Sequence, residues 1–422
     1  MSEITITKRQ RSYTLFLLVL VFTSSHVDRQ IVAILQEPIK QAFGVADWQL
    51  GLLTGVMFAL FYATLGMPMA MWADRRNRRN LITFSIALWS LMTALCGAAM
   101  QFWQLLLARV GVGVGEAGSN PPSHSIISDL FKPEERGTAM AIFGLGVNLG
   151  IMLGYLIGGW VNEWLDWRWA FVVAGVPGLL IALIVRYSML EPPRGYADGI
   201  KEKPPAPPFW DVAKFMWRHR TINHIVAGCT LISFAGYAGI AWVPVYLQRI
   251  HGYSTGESGS ILALAVGVFG GIGTFLGGYL ADRLAPINEG WRSWVVAVAA
   301  IIWAPFAYLS FTATDPFWAA TWFFVPATLG GVYIGANFAM MQSQLPVEMR
   351  AVGAAINLFI LNIIGLGLGP LTVGIISDVT AATSGIDSLR NGLIAMIAIM
   401  LWGAYHQWAA GTHLSRAGKT VQ

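Results

Sequence analysis

Charge is scarce in this chain: Asp, Glu, Lys and Arg make up 12% of its 422 residues, about half the share carried by a water-soluble globular chain. Hydrophobic residues reach 55% and the mean hydropathy is +0.58, so water is not the main solvent of the fold. Cysteine is scarcer still. Cys96 and Cys229 sit in apolar stretches of opposite halves, which excludes a disulfide framework. HExxH, GxSxG and Walker patterns are missing, and the histidines share no ligand spacing, so no catalytic centre, metal or cofactor is expected. The surplus of positive charge, +5 at neutral pH, would point to nucleic acid only if it gathered on a water-facing surface. Here the cations punctuate apolar runs, and a nucleic-acid partner is not expected.

What fills the chain is a series of apolar runs, each long enough for the roughly 20 helical residues that cross a 30 Å hydrocarbon core. They begin near Tyr13, Leu50, Leu81, Trp103, Thr138 and Trp169, then near Thr221, Gly259, Ser293, Phe317, Ala351 and Leu389. This predicts an all-α integral membrane protein with twelve transmembrane helices in two pseudo-symmetric six-helix halves, residues 1–190 and 221–422. Residues 191–220 form the connection, with Pro192, Pro193, Pro204, Pro205, Pro207 and Pro208 among charges, a linker composition. Its last part, with Trp210, Lys214, Trp217, Arg218 and Arg220, suits a short helix on the membrane surface. The first apolar run lacks a small-residue cleavage site and reads as a retained span. Twenty of the 27 Lys and Arg residues fall on one side if the N-terminus is inside, so both termini are expected in the cytoplasm of an inner-membrane, multi-pass protein. No feature calls for an oligomer.

The halves repeat. Ala70-Met71-Trp72-Ala73-Asp74-Arg75 recurs as Gly278-Tyr279-Leu280-Ala281-Asp282-Arg283, 208 residues on, and Glu134 with Arg136 recurs as Glu348 with Arg350, 214 residues on. Two matches at nearly one offset indicate duplication. Asp74-Arg75-Arg76-Asn77-Arg78-Arg79 resembles the loop signature of the major facilitator superfamily, and Arg109-Val110-Gly111-Val112-Gly113 resembles its fourth-helix motif. Within that superfamily the chain is similar to the Spinster group through Asp28-Arg29, Gly115-Glu116-Ala117-Gly118, Pro121-Pro122-Ser123 and Ser128-Asp129-Leu130-Phe131. The resemblance implies a secondary transporter working by alternating access on a lipid-like amphiphile, such as a lysophospholipid or a sphingoid phosphate. Tyr155 stands where a drug antiporter would carry proline, and Ala70 and Asn77 replace two glycines of the loop signature.

The residues that do not belong in a membrane are the most informative, since a charge at bilayer depth costs at least about 2.5–3.5 kcal/mol. Asp28, Arg29, Arg109 and Glu116 qualify, all in spans one and four. Arg109 and Glu116 are two helical turns apart, about 10 Å on one face and too distant to pair. Asp28 and Arg29 diverge by roughly 100°, which sends Arg29 toward Glu116 and the cavity, and Asp28 toward Arg109. A carboxylate held between desolvation, which favours its neutral form, and an arginine, which favours its anion, changes protonation as access alternates; Asp28 and Glu116 are the proton-coupling candidates. Arg29 can hold a phosphate or carboxylate head group, with Glu116, Asn148, Tyr237, Asn337 and Asn357 as further cargo contacts. Arg109 reads as a structural charge. The resemblance assigns Asp74, Arg75, Arg78, Asp282 and Arg283 to a gate at the inner mouth. Phe234, Tyr237, Trp242, Tyr246, Trp322, Phe323, Phe324, Tyr333 and Phe338 make the second half apolar enough for an acyl chain. A small organic anion or a drug is the alternative cargo. A lipid-modifying enzyme would need the catalytic patterns the chain lacks, and a channel would not need duplicated gate motifs.

Overall fold

The computed structural model describes residues 6–197 and 207–419. Lys201, Lys203, Pro204 and Pro205 of the linker, and the side chains of Asp74 and Phe338, lie outside the described residues. Ten helical stretches among the described residues are long and apolar enough to cross a membrane. One of them, Val347–Arg416, runs through two consecutive spans, the helices Arg350–Ile360 to Gly369–Ser384 and then Ser388–Lys419. Span four is not among the ten because it is broken, into Phe102–Glu116 and Asn120–Leu130. With it the spans number twelve, and the even number brings both termini and the linker to one end of the bundle, here called the termini end.

The break in span four was not expected from the sequence, although its cause is visible there. Pro121 and Pro122 lack the N–H groups that the carbonyls of Ala117 and Gly118 would bond in a continuous helix. The chain turns at 117–119, with the backbone and hydroxyl of Ser119 bonding the Glu116 carbonyl, and the helix restarts with the prolines in its first turn, where a missing donor costs nothing. Glu116 is thereby the last residue of a helix in the middle of the membrane.

Among the described residues three spans carry wide π-helical turns, Leu52–Val56 in span two, Ala263–Phe269 in span eight and Leu361–Leu368 in span eleven. All three lie where the halves touch. Added side-chain carbons at Gly51 and Gly55 would strike the backbone of Pro370 and Gly367, and one at Gly259 would strike the Tyr155 carbonyl. Spans two and eleven, and five and eight, therefore meet backbone to backbone, a closeness that small residues permit. The small-residue stripe Gly150-Gly154-Gly158 is used inside the first half, against Thr23 to Ile34 of span one. Toward the termini end a side-chain carbon added at Gly66, Gly137, Gly144 or Gly278 of spans two, five and eight would meet nothing within 4 Å among the described residues. The halves are closed at the far end and parted at the termini end.

The amphipathic helix expected before the second half is present at Phe209–Arg218. Val212 and Met216 bury against Ile222, Met341, Leu345 and Ile356, while Trp210 and Trp217 are largely exposed.

Candidate functional site

Span one, Lys8–Ile34, places Asp28 and Arg29 beside span four. Arg29 does meet Glu116: its Nε and Nη2 both donate to Glu116 Oε2 at 2.7 Å. The second carboxylate oxygen, Oε1, is buried without a hydrogen-bond partner among the described residues. The guanidinium lies 4.7 Å from the ring centre of Phe58 and 4.6 Å from that of Tyr62, whose hydroxyl accepts a 3.4 Å bond from the Asn120 amide at the restart of span four. A cation over two aromatic faces keeps favourable electrostatics out of water. Tyr237 of span seven, in the other half, packs against the same apolar cluster as Phe58.

Asp28 turns to the Arg109 side. Arg109 Nη1 donates to the Asp28 backbone carbonyl at 3.2 Å, not to its carboxylate. The carboxylate is buried, faced by the Thr93 hydroxyl of span three but without a formed hydrogen bond. Two guanidinium and two carboxyl groups thus share one desolvated region of the first half, and only one pair is joined directly. The uncommitted oxygens of Asp28 and Glu116 are the atoms that could take a proton.

The other candidates fall elsewhere. Asn148 lies on the wall of an apolar cavity of about 460 Å³ between the halves, which also takes in Gly236 and Ile240 of span seven, Phe275 of span eight and Phe323 of span ten. Span seven therefore turns Tyr237 toward Arg29 and Gly236 toward this cavity. Asn337 and Asn357 are buried, with amide atoms that find no partner among the described residues. Of the gate candidates, Arg78 is buried against its own half, bonding Asp129, Glu191 Oε1 at 2.8 Å, Ser125 at 2.9 Å and the Pro192 carbonyl at 2.6 Å. Asp282 pairs with Arg292 at 3.0 Å and Arg283 with the Tyr279 hydroxyl at 2.5 Å, both within the second half. Arg75 is exposed. None of these bonds crosses between the halves in this conformation.

A cross-half lock does exist, at the far end, and sequence reasoning missed it. Arg249, the last residue of span seven, holds Asp47 with two bonds of 2.7 and 3.0 Å and Glu37 Oε2 with two of 3.0 and 2.8 Å. Lys40 and Ser377 add bonds of 2.5 and 2.6 Å to the Asp47 carboxylate. Asp378 of span eleven accepts from the backbone N–H groups of Asp47 and Trp48 at 3.1 and 2.7 Å, capping the start of span two. Asp378 lies near the end of helix Gly369–Ser384. The available signal was acid and base gathered at the ends of spans two, seven and eleven.

Comparison with known proteins agrees with this architecture. Residues 15–370 match the model of the Major Facilitator Superfamily. An MFS-type efflux pump of Mycolicibacterium smegmatis is 32% identical over 405 residues, covering 94% of this chain and 92% of its own. Protein spinster homolog 1 of Rattus norvegicus is 29% identical over 390 residues, 86% of this chain and 73% of its own. A crystal structure of a bacterial homolog to the human lysosomal transporter Spinster, inward-facing and unoccupied, superposes with a TM-score of 0.85 at 29% identity, over 97% of this chain and 98% of that one.

Proposed function

The chain belongs to the Major Facilitator Superfamily as a Spinster-like membrane transporter and not an enzyme, and from that premise we propose that it carries an anionic, lipid-like amphiphile by alternating access coupled to protons. The observation that carries this reading is the Arg29–Glu116 pair, a desolvated cation whose acidic partner has one free oxygen. Protonating Glu116 weakens its hold on Arg29 and leaves the guanidinium free for the head group of a cargo. The apolar cavity lined by Asn148, Phe275 and Phe323 suits an alkyl chain. Proton and anion then favour each other's binding, and Asp28 supplies a second protonation point. Asp74, Arg75, Arg78, Asp282 and Arg283 would lock the termini end when the far end opens. The linker and helix Phe209–Arg218 would connect two functional halves. The lysine and arginine bias supports an inner-membrane location with the termini end in the cytoplasm.

A small organic anion or a drug is the second reading, favoured by the efflux-pump relative. One experiment separates them: thermal stabilisation of the purified protein by a lysophospholipid, a sphingoid phosphate, a short-chain organic acid and a cationic drug. The proposal expects stabilisation by the long-chain anions, lost in Arg29→Ala. Stabilisation by the short acid or the drug alone would refute the lipid cargo.

A further inference from the structure

Outside the transport pathway, spans one, three and six end around a pocket of about 380 Å³ on the rim of the first half, lined in part by Gln10, Tyr13, Arg79, Ser188 and Glu191. Its size falls within the range of small-molecule sites, about 300–1,000 Å³. Sequence reasoning gave Arg79 no role beyond topology, yet its Nε is buried and has no partner among the described residues, and its Nη1 makes a 3.3 Å bond to the Met189 carbonyl. A buried guanidinium N–H without an acceptor is costly. The carboxylate of Glu191 does not fill that need: Oε1 takes the Arg78 guanidinium at 2.8 Å and Oε2 the Arg79 backbone N–H at 2.7 Å. Gln10 spends its amide oxygen on the Thr7 cap at 2.9 Å, which leaves its amide N–H groups as donors.

The surroundings define what could supply the acceptor. Tyr13 and Tyr187, near the ends of helices Lys8–Ile34 and Trp167–Ser188, line the pocket and are 41% and 80% exposed, the position of interfacial aromatic belts. Below the pocket the seam between spans one and six is apolar and uncovered: Phe16, one turn on from Tyr13, is matched by Leu180 and Ile184, two turns and one turn back from Ser188, and all three are more than 40% exposed. Above it Lys8 and Arg9 are exposed. A cup with the Arg79 Nε and the Gln10 amide as donors, an aromatic lip and an apolar seam in that order match an acidic head group, its glycerol and its chains.

We propose that this pocket binds the phosphodiester of a bilayer glycerophospholipid from the leaflet at the termini end, with Arg79 as its counter-charge and the acyl chains on the seam of spans one and six. The site is separate from Arg29 and does not depend on the cargo reading. The test is thermal unfolding of the full-length purified protein with three probes: dioleoyl phosphatidylglycerol, diacylglycerol with the same chains, and inorganic phosphate. Phosphatidylglycerol is expected to raise the unfolding temperature of wild type, of Arg29→Ala and of the exposed control Arg76→Gln, and the shift is lost in Arg79→Gln. Diacylglycerol and phosphate alone are expected to give no shift. An undiminished shift in Arg79→Gln, or an equal shift from diacylglycerol, overturns the phosphate contact. An equal shift from inorganic phosphate overturns the lipid in favour of a free anion. Should Arg79→Gln not fold, Arg79→Lys keeps the charge without the Nε donor and is expected to show a reduced shift; an unchanged one overturns the proposal.

Discussion

At the scale of single residues the decisive feature is that Arg29 has an acidic partner it can leave. In the proposed cycle an anion at Arg29 and a proton on Glu116 relieve the same pair, so their binding would be linked with the same sign, and cargo affinity is expected to rise as pH falls. Glu116→Gln imitates the protonated acid, so it should hold affinity near its low-pH value and flatten the pH profile; equilibrium binding between pH 5 and 8 measures this. A Glu116→Gln profile as steep as wild type would place the linkage elsewhere, with Asp28 the next carboxyl to examine. At the far end, Arg249→Ala removes four bonds of the cross-half lock and leaves Asp47 with Lys40 and Ser377. The closed far end should lose about 1–3 kcal/mol, roughly a 5–150-fold shift, read as longer distances between spin labels at the outer ends of spans two and eleven. The Arg29–Glu116 meeting was legible because ionisable residues in spans are so few that they must find one another. Phe58 and Tyr62 were not, since aromatics make up 12% of the chain and nothing in a single sequence says which rings face a given cation.

At the scale of elements, the twelve spans were legible from hydropathy alone, whereas their irregularities were not. Hydropathy averages over a window and cannot see that Pro121 and Pro122 strip two donors from span four, and π-helical turns have no composition of their own. Their placement has a consequence for packing. The turn Leu52–Val56 brings Gly55 against the backbone of Gly367 in a second π-helical segment, Leu361–Leu368. Gly55→Leu would press a side chain into a carbonyl with no room to relax, and overpacking of this kind costs about 1–3 kcal/mol. The strain exists only while the far end is closed, so the variant should populate conformations open at that end while remaining folded. Protection of an outer-end cysteine from a water-soluble maleimide, compared between Gly55→Leu and wild type, measures it. Equal protection in the two would show that spans two and eleven tolerate the volume by bending.

At the scale of the whole molecule, duplication was legible as repeated motifs 208 and 214 residues apart, but the direction in which the halves are tilted was not, because the repeats occur at one end and the bonds that now join the halves are at the other. The far end is held by Arg249, Asp47, Asp378 and the glycine contacts, and the bonds of Arg78, Asp282 and Arg283 stay within their own halves, so alternating access as proposed requires the far-end contacts to break in every cycle. That requirement can be tested without touching a charge. A side-chain carbon at Gly367 would lie 3.4 Å from the Cβ of Ala59 and no nearer to any other atom, close to the separation of about 3.5–4.5 Å that a disulfide spans. Cysteines at Ala59 and Gly367 should therefore oxidise readily in the resting protein, and the native Cys96 and Cys229, both buried, should not compete. Oxidation is expected to abolish flux into proteoliposomes while leaving cargo binding from the termini side intact, and reduction should restore flux. Transport that continued with the cross-link formed would mean that spans two and eleven stay together throughout the cycle, and the halves would have to part along spans five and eight alone.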